Sequence, residues 1–165
     1  FEEIFKNHTN VKIFDYALGD FNKEVDMHVS SKDDSSSILK IAPLQTEHFP
    51  GTEETGLTKI KVAPLNHLIS NKEIISPALL KLDVQGFELQ VLMGCEGMLE
   101  KFDYIYCECS FMMLYEKQSL APDVINFLYN RSFNITGIYN LQLDNNGNCI
   151  QADFFFERIS GKENL

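Results

Sequence analysis

Two carboxylates, a glutamine and a glycine are grouped around one short stretch, Leu80-Lys81-Leu82-Asp83-Val84-Gln85-Gly86-Phe87-Glu88. An apolar strand carrying Lys81 and Asp83 on one face stops at Gly86 and turns into a helix. A buried strand has little reason to carry such charges, whereas the rim where parallel strands end and helices begin is where open α/β sheets bind ligands. Asp83 has two readings here: a functional group at the strand end, or a cap for the free N–H groups of the following helix. Gly86 allows a tight turn and close approach of a ligand to the backbone. Gln85 either binds a ligand or caps the helix. Glu88, in the first helical turn, either serves the site or offsets the helix dipole. Further on, Tyr-Ile-Tyr-Cys-Glu-Cys-Ser places Glu108 on a second strand, where it is a second candidate base and the expected ion-pair partner of Lys81.

The elements that position these residues follow from periodicity. Residues 1–8 read as a helix end, 11–18, 24–30 and 57–62 as strands, and 65–69 as a short helix. A strand over 79–84 leads into a helix over 86–99, and a strand over 104–109 precedes a helix over 122–131 that opens on Pro122. Apolar runs at 133–141 and 149–158 flank Asp144-Asn145-Asn146-Gly147, a strong hairpin signal. Residues 31–56, rich in Ser, Asp, Glu, Thr, Pro and Gly, are expected to form a long polar loop, a kind of segment that is usually functional or mobile. Ser35, Ser36 and Ser37 within it read as a solvated serine loop or as pocket lining. Residues 160–165 read as a loose tail, leaving one domain over 1–159. Strand–helix–strand–helix followed by a hairpin predicts an α/β sheet with an antiparallel edge, in which 79–84 and 104–109 are parallel neighbours.

Composition narrows the function classes. The 165 residues carry a formal net charge of −10, which argues against nucleic acid or an anionic membrane surface as the main partner. No apolar run has the length of a membrane span, and no signal peptide is recognised. Cys95, Cys107, Cys109 and Cys149 form no C-x-x-C pair and the four histidines are scattered, so no metal site is expected. Cys107 and Cys109 alternate along one strand and read as buried reduced thiols, consistent with a cytoplasmic setting.

In order, ALGD (17–20), SSS (35–37), LTKIKVAPLNHLI (57–69), LLKLDVQGFELQVLMG (79–94), YIYCECS (104–110), LY-E (114–116) and ADFFFER (152–158) resemble the FkbM family of methyltransferases. Lys81 to Glu88 followed by Gly94 is the most specific part. The resemblance implies a Rossmann-like class I methyltransferase sheet, mostly parallel with a C-terminal antiparallel hairpin, and S-adenosyl-L-methionine as methyl donor. It departs from the family in lacking the Gly-rich cofactor loop and the ribose-binding acid, which implies an N-terminally truncated domain. Carried onto this chain, it puts Asp83, Gln85 and Gly86 against the methionine half of the cofactor and Asp20 at the adenine rim. It puts Asp83 and Glu108 at the reaction centre, and Glu88 and Tyr115 against the acceptor, a small-molecule, glycan or lipid hydroxyl. The rivals are a methyltransferase-like module that serves assembly without catalysis and, last, a dinucleotide oxidoreductase, for which no G-x-G-x-x-G occurs.

Overall fold

The computed structural model describes residues 2–159, so the expected tail at 160–165 lies outside them. A short helix α1 (Glu2–Phe5) precedes an irregular stretch, and β1 (Ala17–Leu18) is only two residues long. The strand expected over 11–18 shrinks because only Ala17 and Leu18 find a neighbour, pairing in parallel with Val62 and Ala63. Strands β2 (Lys23–Ser30) and β3 (Glu54–Ala63) form an antiparallel hairpin from Lys23↔Val62 to Ser30↔Glu54. The polar segment between them is more ordered than a loop. It holds a 3-10 turn (Asp33–Ser35) and a helix α2 (Pro43–His48) with proline in its first turn.

The second sheet carries the site. Strand β4 (Leu79–Leu82) leads through a turn to helix α3 (Glu88–Gly94), which tightens into a 3-10 stretch (Glu96–Lys101) before β5 (Tyr104–Ser110). Helix α4 (Ala121–Tyr129) follows, then β6 (Phe133–Leu143) and β7 (Cys149–Arg158). The strand order is β4-β5-β7-β6. β4 and β5 run parallel, with Leu80 opposite Ile105 and Leu82 opposite Cys107, while β7 is antiparallel to both β5 and β6. The expectation of a mostly parallel sheet needs correction. Among the described residues there are two separate sheets, β1-β3-β2 and β4-β5-β7-β6, and antiparallel pairings outnumber parallel ones. The reason is local: both hairpins reverse direction through the chain between them, and only the helix-linked β4 and β5 and the remote β1 pair in parallel.

Alternation along the strands divides the second sheet into two faces. Ile105, Cys107, Cys109, Phe154 and Phe156 point to the helices and form the main core with Val91, Leu92, Val124 and Leu128. Each of the aliphatic and phenyl side chains among them contributes about 1.5–3 kcal/mol by leaving water. Cys107 and Cys109 are free and buried, as their spacing implied. Tyr104, Tyr106, Glu108, Gln151, Asp153 and Phe155 take the alternate positions and point to the opposite face. No helix among the described residues is long and apolar enough to cross a membrane.

Candidate active site at the end of the parallel strands

Beyond Leu82 the chain makes a turn that few side chains tolerate. Gln85 has φ 52° and Gly86 φ 94°, and the Phe87 N–H closes back on the Val84 carbonyl at 3.3 Å. A non-glycine residue in the left-handed region is uncommon and persists where its surroundings hold it. Gln85 is held on both sides: the Ser37 hydroxyl donates to its carbonyl at 2.7 Å and the Tyr115 hydroxyl to its side-chain oxygen at 2.8 Å. A side chain at Gly86 would be strained by the positive φ, and its Cβ would crowd Gln118 and Tyr115 at 3.2 Å.

With its oxygen bound by Tyr115, the Gln85 amide presents its nitrogen to the carboxylates. Nε2 donates to Asp83 at 2.9 Å and to Glu108 at 3.2 Å. Gln151, on β7, donates to the other Glu108 oxygen at 2.9 Å. Burial, with the nearby charges of Asp83, Asp153 and Glu88, pushes the Glu108 carboxyl up to about 7, against the pull of the Gln85 amide. Asp83, Gln85, Glu108 and Gln151 line a cavity of about 280 Å³ whose far wall comes from Lys32, Asp34, Ser35, Gln45, Phe49 and Thr52.

That far wall is the segment the sequence marks as a polar loop. It is stitched down at two places. His28 and Ser37 exchange backbone hydrogen bonds at 2.7 and 3.0 Å, and Ala42 and Glu116 donate to the Leu114 and Lys40 carbonyls at 3.0 and 2.8 Å. Ser35 and Ser37 are buried rather than solvated.

Several expectations change on contact with this geometry. Lys81 does not pair with Glu108. It stands opposite Tyr106 and donates to Asp83 at 2.9 Å, while Glu108 stands opposite Asp153. Asp83 does not cap α3; its oxygens take Lys81 and Gln85, and the helix begins without a side-chain cap. Glu88, expected against the acceptor, is 2% exposed and accepts the Gly86 N–H at 2.9 Å, so it braces the turn from behind the cavity. Tyr115 is likewise buried, and its hydroxyl meets Gln85. Asp20 is exposed and outside the cavity, beside the close approach of Gly94 to the Gly19 backbone. Gln151 and Gln45 escaped the sequence reading. The strand period puts Gln151 on the Glu108 face, but only the β5–β7 register, Glu108↔Asp153, sets the two side by side. No group of described residues is arranged to hold a metal ion.

Burial raises the Glu88 carboxyl from an ordinary 4.5 to about 7. A raised carboxyl pKa means that the folded chain holds the proton longer. The stability that this one group contributes is therefore fully present below pH about 4.5, is lost as pH rises to about 7, and stays lost above it. A change of that size corresponds to about 3 kcal/mol. Glu88→Gln, which keeps an oxygen for the Gly86 N–H, is expected to flatten this part of the curve. Urea titrations between pH 4.5 and 8 test it, and an unchanged slope in the variant would assign the pH dependence to other groups.

The family comparison names the class of protein in which this parallel strand pair, with its carboxylates beside a glycine turn, is found. The model of the methyltransferase FkbM domain matches residues 1–135, and the chain belongs to that family. Among curated proteins it is similar to the 2-O-methyltransferase NoeI of Sinorhizobium fredii (strain NBRC 101917 / NGR234), 28% identical over 124 residues. That match takes in 72% of this chain and 51% of NoeI, so the chain spans about half the length of its relative. No solved structure matches the chain.

Proposed function

We propose that the protein transfers a methyl group from S-adenosyl-L-methionine to a hydroxyl of its acceptor, with Glu108 as general base. The supporting observation is the Glu108 carboxyl itself: half-buried, raised to about 7, and steadied on both oxygens by Gln85 and Gln151 near the end of β5. Membership of the FkbM family and the likeness to a 2-O-methyltransferase point the same way. In this reading β4-β5-β7-β6 is part of a Rossmann-like class I methyltransferase sheet.

The donor set suits a sulfonium cofactor. Asp83 is a half-exposed carboxylate at a strand end, beside a second carboxyl, and its one cationic partner, Lys81, is 58% exposed. Asp83, Gln85 and the backbone of Gly86 are the proposed contacts to the methionine half, with Asp20 contributing farther along the rim. When bound, S-adenosyl-L-methionine supplies a methyl group on an already activated leaving group. The residues then have two tasks. Gln85 and Gln151 hold Glu108 so that its ionised form takes the proton of the acceptor hydroxyl as the oxygen attacks. The turn at Gln85–Gly86, braced by Glu88, Ser37 and Tyr115, keeps that geometry in place, and orientation of this kind is worth roughly 7–11 kcal/mol.

Isothermal titration of the protein at its full natural length with S-adenosyl-L-methionine tests the reading. Micromolar binding is expected; no heat at millimolar cofactor would overturn it. Asp83→Asn is expected to weaken that binding roughly tenfold, the effect of losing about 1.4 kcal/mol, with a melting temperature close to the parent's. A fall in melting temperature with unchanged binding would reduce Asp83 to a structural role.

A further inference from the structure

We infer that Tyr115 is a positioning residue whose buried hydroxyl fixes which way round the Gln85 amide sits, so that Gln85 offers Glu108 only N–H; this rests on the reading of Glu108 as general base. Tyr115 is 1% exposed and lies behind the cavity wall rather than in it. Its hydroxyl donates to the Gln85 side-chain oxygen at 2.8 Å, while Gln85 Nε2 donates to Asp83 at 2.9 Å and to Glu108 at 3.2 Å. A side-chain amide has a donor end and an acceptor end. Turned over, Gln85 would set its oxygen against the carboxylates and its nitrogen against Tyr115. That sense repels an ionised Glu108 but accepts the proton of a neutral one. An amide free to turn therefore suits both states of Glu108. An amide held by its oxygen suits only the ionised state, the one that can take a proton from the acceptor.

The phenol stays a donor. Burial first, and then the charges of Glu108, Glu88, Asp34 and Asp83, hold its proton on well above the ordinary tyrosine value. That proton has a second acceptor, the Ser35 carbonyl at 3.1 Å, in the 3-10 turn of the cavity's far wall. Loss of the bond to Gln85 therefore leaves the hydroxyl satisfied and the amide loose. The ring is set from behind. Gln118, itself buried, accepts the Leu114 and Tyr115 N–H groups at 2.9 and 3.2 Å and donates to Ser110, at the end of β5, at 2.9 Å. A buried polar network with its members satisfied rigidifies what it holds, and here it holds the oxygen of Gln85. Glu108 is faced by Asp83 with its partner Lys81, by Glu88 from α3, by Asp153 from β7, and by Lys32 and Asp34 in the cavity wall. None of these is altered when Tyr115 loses its hydroxyl, so a change in Glu108 reports the amide.

Tyr115→Phe keeps the ring and removes only the hydroxyl. In protein carrying isotope-labelled glutamate, the NMR titration midpoint of the Glu108 carboxyl is expected to rise by about 0.4–1 unit, the equivalent of one net hydrogen bond. The rising limb of the pH–rate profile should move up with it. Methyl transfer should then be roughly threefold to tenfold slower on the acid side and regain the parent's rate at alkaline pH, with KM for the acceptor unchanged. In a Gln85→Met background, where no amide remains to be held, Tyr115→Phe should move the titration no further. An unmoved midpoint, an equal loss of rate at every pH, or the same shift in the Gln85→Met background would each overturn the inference. Should the Phe variant fail to fold, the parent decides. Its Tyr115 hydroxyl proton, slow to exchange in a buried site, should change its NMR shift with the Glu108 midpoint, and a signal indifferent to that midpoint would overturn the inference too. The titrations need no methyl donor. A Glu108→Gln protein with the parent's rate would remove the base and leave the titrations standing, whereas an unmoved midpoint with Glu108 still required for the rate would remove Tyr115 alone.

Discussion

Glu108→Gln is expected to lower methyl transfer by about 10²–10⁴-fold, the range that a placed general base supplies. The substitution keeps the shape of the side chain and an oxygen for the Gln85 or Gln151 amide, so the cavity wall stays in place. What it removes is the ability to accept a proton. The pH profile separates this from a loss of geometry. With the Glu108 carboxyl near 7, activity of the parent should rise as pH passes through that value, because only the ionised form serves as base. The variant's residual rate should show no such rise. S-adenosylhomocysteine release with a hydroxylated acceptor, followed from pH 5.5 to 9, measures both. A Glu108→Gln protein that retains the parent's rate and the parent's profile would remove Glu108 from the chemistry.

Gly94→Ala is expected to lower stability by about 3 kcal/mol, toward the upper end of what overpacking costs, or roughly 6–12 °C in melting temperature for a chain of this size. The sign is opposite to the usual one, since alanine in a helix is ordinarily better than glycine by about 1 kcal/mol. The reason is contact: a Cβ on Gly94 would sit 2.0 Å from the Gly19 carbonyl oxygen and 2.5 Å from its carbon. Both are backbone atoms, which cannot swing aside as a flexible side chain can. To admit the methyl group, α3 must move away from the segment after β1 and disturb the packing of Phe87 against Phe21 and Gly19. Gly97→Ala is the control, because nothing lies within 4 Å of its added Cβ. Thermal unfolding of the two variants side by side checks the argument; equal melting temperatures would show that the contact yields at little cost.

Much of the local structure is legible in the chain. The alternation in 57–62, 104–109 and 149–158 marks strands because a half-buried pleat needs period two, and Asn146-Gly147 marks the final hairpin because its turn needs positive φ, found at Gly147 as 83°. The turn at Gly86 and the parallel pairing of β4 with β5 follow from the same kind of signal. Less legible are the lengths of elements that depend on a neighbour. Residues 11–16 have strand-like composition but no strand to pair with, and the helix expected from Gly86 starts only at Glu88 because Gln85 and Gly86 have positive φ.

By itself the sequence determined which side chains could do chemistry and which strand ends would present them: Asp83 after β4, Glu108 on β5, Gln85 and Gly86 in the turn. Those depend on spacing within a few residues, which the backbone period sets. Only the tertiary structure decided their partners. Strand register sets Lys81 opposite Tyr106 rather than Glu108 and brings Gln151 to Glu108, and long-range packing buries Glu88 and Tyr115 and folds Gln45 over the rim. The Gln151–Glu108 pair joins residues 43 positions apart, where no local period reaches and where desolvation, rather than residue type, sets which carboxyl keeps its proton.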